Sequence, residues 1–131
     1  VSGNYEAGLS SIETATTLNP LDPQLWEYIS NEAYAYWLMG DYEKTREKAE
    51  ESISLNPDNE YMYAVVISTF WQMGDPAAAR EVALALTDKF PQFTLTTLEV
   101  TSFPPRAVSM FQTHLKAAGW REPRDQNLEL D

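Results

Sequence analysis

The chain contains no cysteine and a single histidine, His114. Without thiols it has neither disulfides nor thiolate chemistry, and because a reducing cytosol suits such a composition, we expect a cytoplasmic protein. A metal site needs several ligands at suitable spacing, and the sequence around His114 offers no carboxylate or cysteine partner. We therefore expect no metal, and we interpret His114 as a surface or half-buried structural residue.

Positive charge is scarce as well. The 131 residues include 9 Lys and Arg against 20 Asp and Glu, which gives a formal net charge of −11. Nucleic-acid backbones and anionic membranes both favour cationic proteins, so neither is expected as a partner. No apolar run approaches the roughly 20 residues of a membrane span, and the sequence has no signal-peptide pattern. The sequence begins with Val1, and we expect it to be a processed product or a fragment of a longer protein.

Catalytic motifs are missing too. The five glycines are scattered and form no phosphate-binding loop, and no serine or threonine stands in a nucleophile motif. The carboxylates of residues 43–51 alternate with Lys and Arg, which is typical of a solvated helix face rather than a cation site. The sequence therefore predicts no catalytic residues, no cofactor and a protein that is not an enzyme.

What the sequence does contain is a repeated pairing of glycine with proline. Each of three glycines, at positions 3, 40 and 74, is followed 17 residues later by a proline, at positions 20, 57 and 91. Asn or Asp comes directly after each of these glycines. Because Gly readily takes the left-handed conformation that ends a helix, and Asn or Asp caps the next helix, each pair predicts a turn between two helices.

Apolar or small residues recur at intervals of three and four on both sides of these turns, as on the buried face of a helix. After the glycines, the sets are Gly8, Ile12 and Ala15; Thr45, Ala49 and Ser52; and Ala79, Ala83 and Leu86. Before the glycines, they are Trp26, Ile29, Ala33 and Tyr36, and then Tyr63, Val66, Ile67 and Phe70. We expect N-caps for these first helices at Asp22-Pro23, with Pro23 as the first helical residue, and at Asp58-Asn59.

A unit of helix, glycine turn, helix and proline turn that recurs about every 34 residues resembles the tetratricopeptide repeat (TPR) family. The best match runs from Glu60 to Pro91, with Ala79 at the position of closest packing. The resemblance implies an all-α fold, a TPR-like right-handed superhelix of antiparallel helix pairs with a C-terminal capping helix. It divides a single domain, 1–131, into the second helix of a partial repeat (3–22), two repeats (23–57 and 58–91), a degenerate helix with the capping helix (92–120) and a polar tail (121–131).

The periodicity decays beyond Pro91. Residues 93–100 are rich in β-branched side chains, and we predict a short helix there because an isolated strand would have no partner. Pro105 is well placed to start a further helix that ends at Gly119 and suits a cap on the last hairpin. The stripe expected to be buried on this helix is Ala107, Met110 or Phe111, His114 or Leu115, and Ala118.

The same C-terminal segment resembles the end of TPR regions in bacterial class III adenylate/guanylate cyclases and related signalling proteins. The matching residues are Pro91, Phe93, Thr94, Leu115, Lys116, Ala118 and Gly119. No residue of a cyclase catalytic domain is present, so this resemblance implies a regulatory or docking region.

In TPR arrays the first helix of each hairpin lines a concave groove, and the resemblance implies that this groove binds peptides. The candidate groove residues here are Glu27, Asn31, Tyr34, Trp37, Tyr61, Ser68, Trp71 and Gln72. Aromatic side chains on this surface favour a partner with apolar anchors. The alternative is that Trp37 and Trp71 fill the core between the repeats. Neither first helix contains Lys or Arg, so a carboxylate clamp for the acidic tail of a chaperone is not expected.

Two functions follow as hypotheses. The first is a non-catalytic protein–protein interaction module that binds a protein or peptide segment in the concave groove. The second is the regulatory C-terminal TPR region of a larger signalling enzyme, such as an adenylate/guanylate cyclase, which acts by intramolecular contact or dimerisation. Because the partial repeat at the N terminus leaves an uncovered face, a homodimer through that edge is a further hypothesis.

Overall fold

A computed structural model of the chain describes residues 22–101 and 103–126. All regular structure within these ranges is helical, which confirms the all-α class for this part of the chain. The elements are α1 (Leu25–Met39), α2 (Tyr42–Leu55), α3 (Glu60–Gln72), α4 (Pro76–Lys89), a 3-10 helix (Leu95–Val100), α5 (Pro105–Ala117) and α6 (Pro123–Gln126). The helix predicted after Gly3 and the N-terminal edge of the hypothetical homodimer lie outside the described residues.

The two predicted glycine turns have the same geometry. Gly40 and Gly74 both have φ of 78°, in the left-handed region, and the backbone N–H of each bonds to a carbonyl three residues earlier. The residue after each glycine is an aspartate that caps the following helix. The carboxylate of Asp41 accepts the backbone N–H of Lys44, and that of Asp75 accepts the backbone N–H of Ala78. The chain therefore forms two hairpins, α1 with α2 and α3 with α4.

The start of α1 differs from the prediction. Pro23 lies in the turn before the helix, and Gln24 occupies the N-cap position. Asp22 instead closes an Asx turn, in which its carboxylate accepts the backbone N–H of Gln24 at 2.8 Å. Asp22 therefore stabilises the turn that precedes the helix, and the N-cap lies two residues after the position expected for it.

The stripes predicted on the second helices are confirmed. The buried residues of α2 are Thr45, Ala49 and Ser52, and those of α4 are Ala79, Ala83 and Leu86. On α1, Ile29 and Ala33 are buried while the ends of the predicted stripe are half-buried. These small side chains let neighbouring helices approach closely, which is why the repeat places them at equivalent positions.

Helix α3 is the central element of the described structure. Every residue from Met62 to Thr69 is buried, because α2, α4 and α5 all pack against it. A helix that is apolar all round belongs inside a core rather than at its edge. The periodic pattern predicted one buried face, and the additional burial comes from α5.

Polar contacts fix α1 against its neighbours. The buried carboxylate of Glu32 lies 3.8 Å from Lys48 Nζ on α2. The hydroxyl of Ser52, also on α2, donates to the backbone carbonyl of Trp26 at 2.7 Å, and the Asn59 side-chain amide donates to the Ser52 oxygen. Asn59 is the N-cap residue of α3, so this network joins the first three helices.

The C-terminal region follows the predicted order of elements. The short helix is a 3-10 helix, and α5 begins at Pro105 and ends before Gly119, whose φ of 98° is left-handed. Of the alternatives left open for α5, Phe111 and Leu115 are fully buried, and Met110 and His114 are half-buried. None of the helices in the described ranges has both the length and the apolarity that crossing a bilayer requires.

Candidate functional site: the α1–α3 face and its covering helix

Helix α5 covers part of the surface on which the groove was expected. We call this surface the α1–α3 face and define it by Tyr34, Trp37, Ser68 and Gln72. The ring centroid of Phe111 on α5 lies 4.7 Å from that of Trp37, and the ring of Phe103, just before α5, lies 4.8 Å from that of Tyr34. The backbone of α5 packs mainly against α3 and the 3-10 helix. The covering helix is thus a segment of the chain itself.

A hydrogen-bond network centred on Ser68 joins α1, α2, α3 and α5. Trp37 Nε1 donates to Ser68 Oγ at 3.1 Å, and Gln72 Nε2 donates to the same oxygen at 3.3 Å. On the other side, Ser68 Oγ lies 2.6 Å from Nδ1 of His114. The Tyr42 hydroxyl donates to Gln72 Oε1 at 2.7 Å and so extends the network to α2.

The network determines which nitrogen of His114 carries a proton. A serine hydroxyl has one proton to donate and two lone pairs that accept, and here both lone pairs receive donors. The proton of Ser68 is therefore directed to Nδ1 of His114, which must be unprotonated, so the neutral ring carries its proton on Nε2. The partial burial of His114 lowers its pKa, which favours the same neutral form.

A serine beside a histidine is also the pairing that activates a nucleophile in some hydrolases. Here Ser68 has no exposed surface, and its oxygen is held between Trp37 and Gln72. A substrate has no access to this hydroxyl, so the geometry supports a structural role for the pair. Among the described residues, no group of three or more His, Asp or Glu side chains is placed to hold a metal ion.

The eight candidate groove residues fall into two sets. Four of them, Tyr34, Trp37, Ser68 and Gln72, meet beneath or beside α5. The other four lie apart from this network: Glu27 and Asn31 are exposed on α1, while Tyr61 and Trp71 are half-buried against the core.

The burial of Trp37 decides between the two interpretations that the sequence left open for this residue. Its side chain is 6% exposed, and its indole N–H is bonded to Ser68. Trp37 therefore belongs to the core and offers no free ring to a partner in this conformation. Ser68 is buried for the same reason, because α5 lies over it.

An open cleft remains beside the covered part of the α1–α3 face. It has a volume of about 480 Å³ and lies between the C-terminal end of α1 and the N-terminal half of α5. We call it the α1–α5 cleft. Its lining includes Tyr34, Leu38 and Met39 from α1, with Met110 and Arg106 from α5.

The residues that α5 contributes to this site were not among the sequence candidates. Phe111 and Met110 were recognised only as members of an amphipathic stripe, and Phe103 and Arg106 were not singled out. The stripe indicated that α5 packs against something. Which surface it covers depends on contacts between residues far apart in sequence, such as Trp37 with Phe111.

No known protein-family model matches this chain. Its functional interpretation therefore depends on the repeat pattern and on the geometry of the α1–α3 face.

Proposed function

We propose that this protein is a non-catalytic protein-interaction module with a TPR-like superhelical fold, and that it binds a peptide segment at the α1–α5 cleft. Support for the fold comes from the two hairpins. Their turns at Gly40 and Gly74 are alike in backbone angle and hydrogen bonding, and the buried stripes of α2 and α4 stand at equivalent positions. Stacked hairpins of this kind bury a continuous core and leave long surfaces for partners.

The observation that carries the binding proposal is the composition of the α1–α5 cleft. Leu38, Met39 and Met110 give it an apolar lining, and its volume of about 480 Å³ is in the range of ligand sites. Methionine side chains are flexible and polarisable, so they adapt to apolar groups of different shape. The cleft therefore suits a peptide that inserts a large aliphatic or aromatic anchor.

The cleft is also what α5 leaves open of the predicted groove. Tyr34, Trp37 and Gln72 are three of the eight candidate residues, and all three line it. A partner that enters the cleft contacts the exposed sides of Tyr34 and Gln72 without displacing α5. The predicted location of the groove is thus shifted toward the C-terminal end of α1.

Selection from a random peptide display library, with the purified full chain as target, tests this proposal. Selected peptides are expected to share an aromatic or large aliphatic anchor. Met110→Glu replaces an apolar wall of the cleft with a carboxylate and is expected to weaken their binding at least about tenfold, because an apolar anchor that enters must then desolvate a charged group. Leu55→Glu is the matched control, since Leu55 is an exposed leucine on α2 outside the cleft.

Circular dichroism must first show that both variants fold. Peptides that bind the parent and the Leu55→Glu variant but not the Met110→Glu variant would support the cleft as the binding site. A selection without enrichment, or peptides whose affinity is unchanged by Met110→Glu, would reject it. The cytoplasmic location, the homodimer and the cyclase-type regulatory function remain predictions from the sequence.

A further inference from the structure

The ion pairs of this acidic chain leave a particular set of cations unpaired. The sequence has more than two carboxylates for each Lys or Arg, with 20 against 9, so cations should find partners easily. Lys44, Arg46, Lys48 and Arg124 form ion pairs, and Lys89 donates to the hydroxyl of Tyr63. In the described ranges, the cations whose side chains have no ion pair, hydrogen bond or ring contact are Arg80, Arg106 and Lys116.

Two of these three cations line the same cleft. Arg80 projects from α4 and Lys116 from the last turn of α5, and together with Arg121 they border an open space of about 510 Å³. We call it the α4–α5 cleft. It is separate from the α1–α5 cleft, with which it shares no lining residue.

The end of α5 shapes this cleft. Gly119 turns the chain in the left-handed conformation, and Trp120 then enters the core, where its ring packs edge-on against Phe93 at 5.6 Å. The residue after the buried tryptophan, Arg121, is exposed at the cleft. A glycine turn followed by an anchored tryptophan therefore fixes the position of the third cation.

The carboxylates that line the cleft are already engaged. Glu122 Oε1 accepts the backbone N–H of Leu95 at 3.2 Å, and Asp125 lies 3.8 Å from Nε of Arg124. Arg80 and Lys116 thus lie in the cleft without an ion-pair partner, on a protein of net charge −11. Two such cations on one cleft favour an anionic ligand at this place.

The wall formed by α4 adds an apolar element. Leu84 lines the same cleft and is 61% exposed, more than any other large hydrophobic side chain in the described ranges. It lies four residues after Arg80, on the same side of the helix. The cleft therefore presents a cation and a leucine side by side along α4, opposite Lys116.

We propose that the α4–α5 cleft binds an acidic peptide segment of a partner protein, in which carboxylates alternate with large apolar side chains. The carboxylates pair with Arg80 and Lys116, and an apolar residue contacts Leu84. Repulsion from the rest of the acidic protein is short-ranged at physiological ionic strength, where the Debye length is about 8 Å. The proposal concerns a second site and does not depend on peptide binding at the α1–α5 cleft.

The test is a titration of fluorescein-labelled ten-residue peptides, followed by fluorescence anisotropy at about 0.15 M salt. The probe alternates leucine with aspartate, and its matched control alternates leucine with asparagine. The Arg80→Gln/Lys116→Gln double variant removes two exposed cations from the cleft. The Lys44→Gln/Arg46→Gln double variant removes two cations from α2 and changes the net charge equally.

Binding of the aspartate peptide but not the asparagine peptide is expected, with at least about tenfold weaker affinity for Arg80→Gln/Lys116→Gln. The α2 double variant should change the affinity by less than about twofold. Amide shifts of Gly119 and Trp120 in NMR spectra should follow the titration. The proposal is overturned if the aspartate peptide does not bind up to about 1 mM, if both double variants lose affinity equally, or if the Arg80→Gln/Lys116→Gln variant binds as the parent does.

Discussion

At the scale of single residues, the hydroxyl of Ser68 uses its full hydrogen-bonding capacity. One hydroxyl accepts from Trp37 and Gln72 and donates to His114, so it links α1, α3 and α5. A hydroxyl that uses all three of its hydrogen-bonding positions leaves several buried groups without partners when it is removed.

Replacement of Ser68 by alanine is therefore expected to lower the free energy of unfolding by about 2–3 kcal/mol. The indole N–H of Trp37, whose side chain is 6% exposed, and Nδ1 of the half-buried His114 both lose their partner. Urea unfolding followed by tryptophan fluorescence measures the difference. Ser54→Ala, at an exposed position of α2, should leave stability within about 0.5 kcal/mol. A cost of similar size for both variants would show that the network contributes little.

At the scale of the helices, the two hairpin turns depend on glycine for its backbone conformation alone. Gly40 and Gly74 share φ of 78°, and nothing lies within 4 Å of a Cβ placed on either residue. The cost of a side chain there is consequently conformational and free of steric clash.

We expect Gly40→Ala and Gly74→Ala each to destabilise the fold by about 1–2 kcal/mol, and by similar amounts, because the two turns have the same geometry. Gly74→Asn should cost less than Gly74→Ala, since asparagine tolerates the left-handed region better. Thermal and urea unfolding of the three variants give the comparison. Equal stability of the alanine and asparagine variants, or a cost of alanine well above about 3 kcal/mol, would contradict a purely conformational role.

The elements also show what the sequence could predict. The turns at Gly40 and Gly74 and the stripes of α2 and α4 followed from local chemistry: left-handed glycine, aspartate caps, and small residues three and four apart. Each of these features is contained within one hairpin. The start of α1 was misplaced by two residues, because Asp22 bonds to the N–H of Gln24 in a turn instead of capping the helix.

The candidate site was less predictable, because it depends on where α5 lies. The pattern of Phe111 and Leu115 predicts an amphipathic helix but does not specify which surface it covers. Once α5 packs on α3, it buries Trp37 and Ser68, and it creates two clefts whose other walls come from α1 and α4. The contacts of α5 with Trp37 and Ser68 join residues more than 40 positions apart, and no periodicity within one helix contains them.

At the scale of the whole molecule, the attachment of α5 links stability to pH through His114. Burial lowers the pKa of His114 in the folded protein, whereas in the unfolded chain it stays near 6.5. Between these two pKa values, the unfolded state binds more protons than the folded state. The contribution of neutral His114 to the free energy of unfolding is therefore complete above a pH of about 6.5, and it is lost as the pH falls toward the pKa of the folded state.

The charged groups on the elements that pack against α5 do not reverse this sign. Glu60, at the start of α3, has its pKa raised by desolvation, and Glu99 of the 3-10 helix lies 3.3 Å from the Gln112 side-chain amide. Protonation of Glu60 below its folded-state pKa relieves a penalty and so stabilises the fold. Its effect is opposite to that of His114, and it cancels when a His114 variant is compared with the parent at each pH.

The expected outcome is a difference between the parent and His114→Gln, whose side-chain oxygen still accepts a hydrogen bond but does not titrate. Between pH 7.5 and 5, the parent should lose stability relative to the variant in urea unfolding, because protonated Nδ1 no longer accepts from Ser68.

The near-UV circular dichroism spectrum of the parent should nevertheless remain native over this pH range. The net contribution of one hydrogen bond is about 0.5–1.5 kcal/mol, whereas burying Phe111 and Leu115 alone stabilises the attachment of α5 by roughly 3–6 kcal/mol. Protonation thus strains the contact between α3 and α5 without releasing the helix. If stability depends on pH in the same way in parent and variant, the neutral tautomer assigned to His114 is wrong. If the near-UV circular dichroism of the tryptophans is lost near pH 6, α5 detaches on protonation, contrary to the prediction.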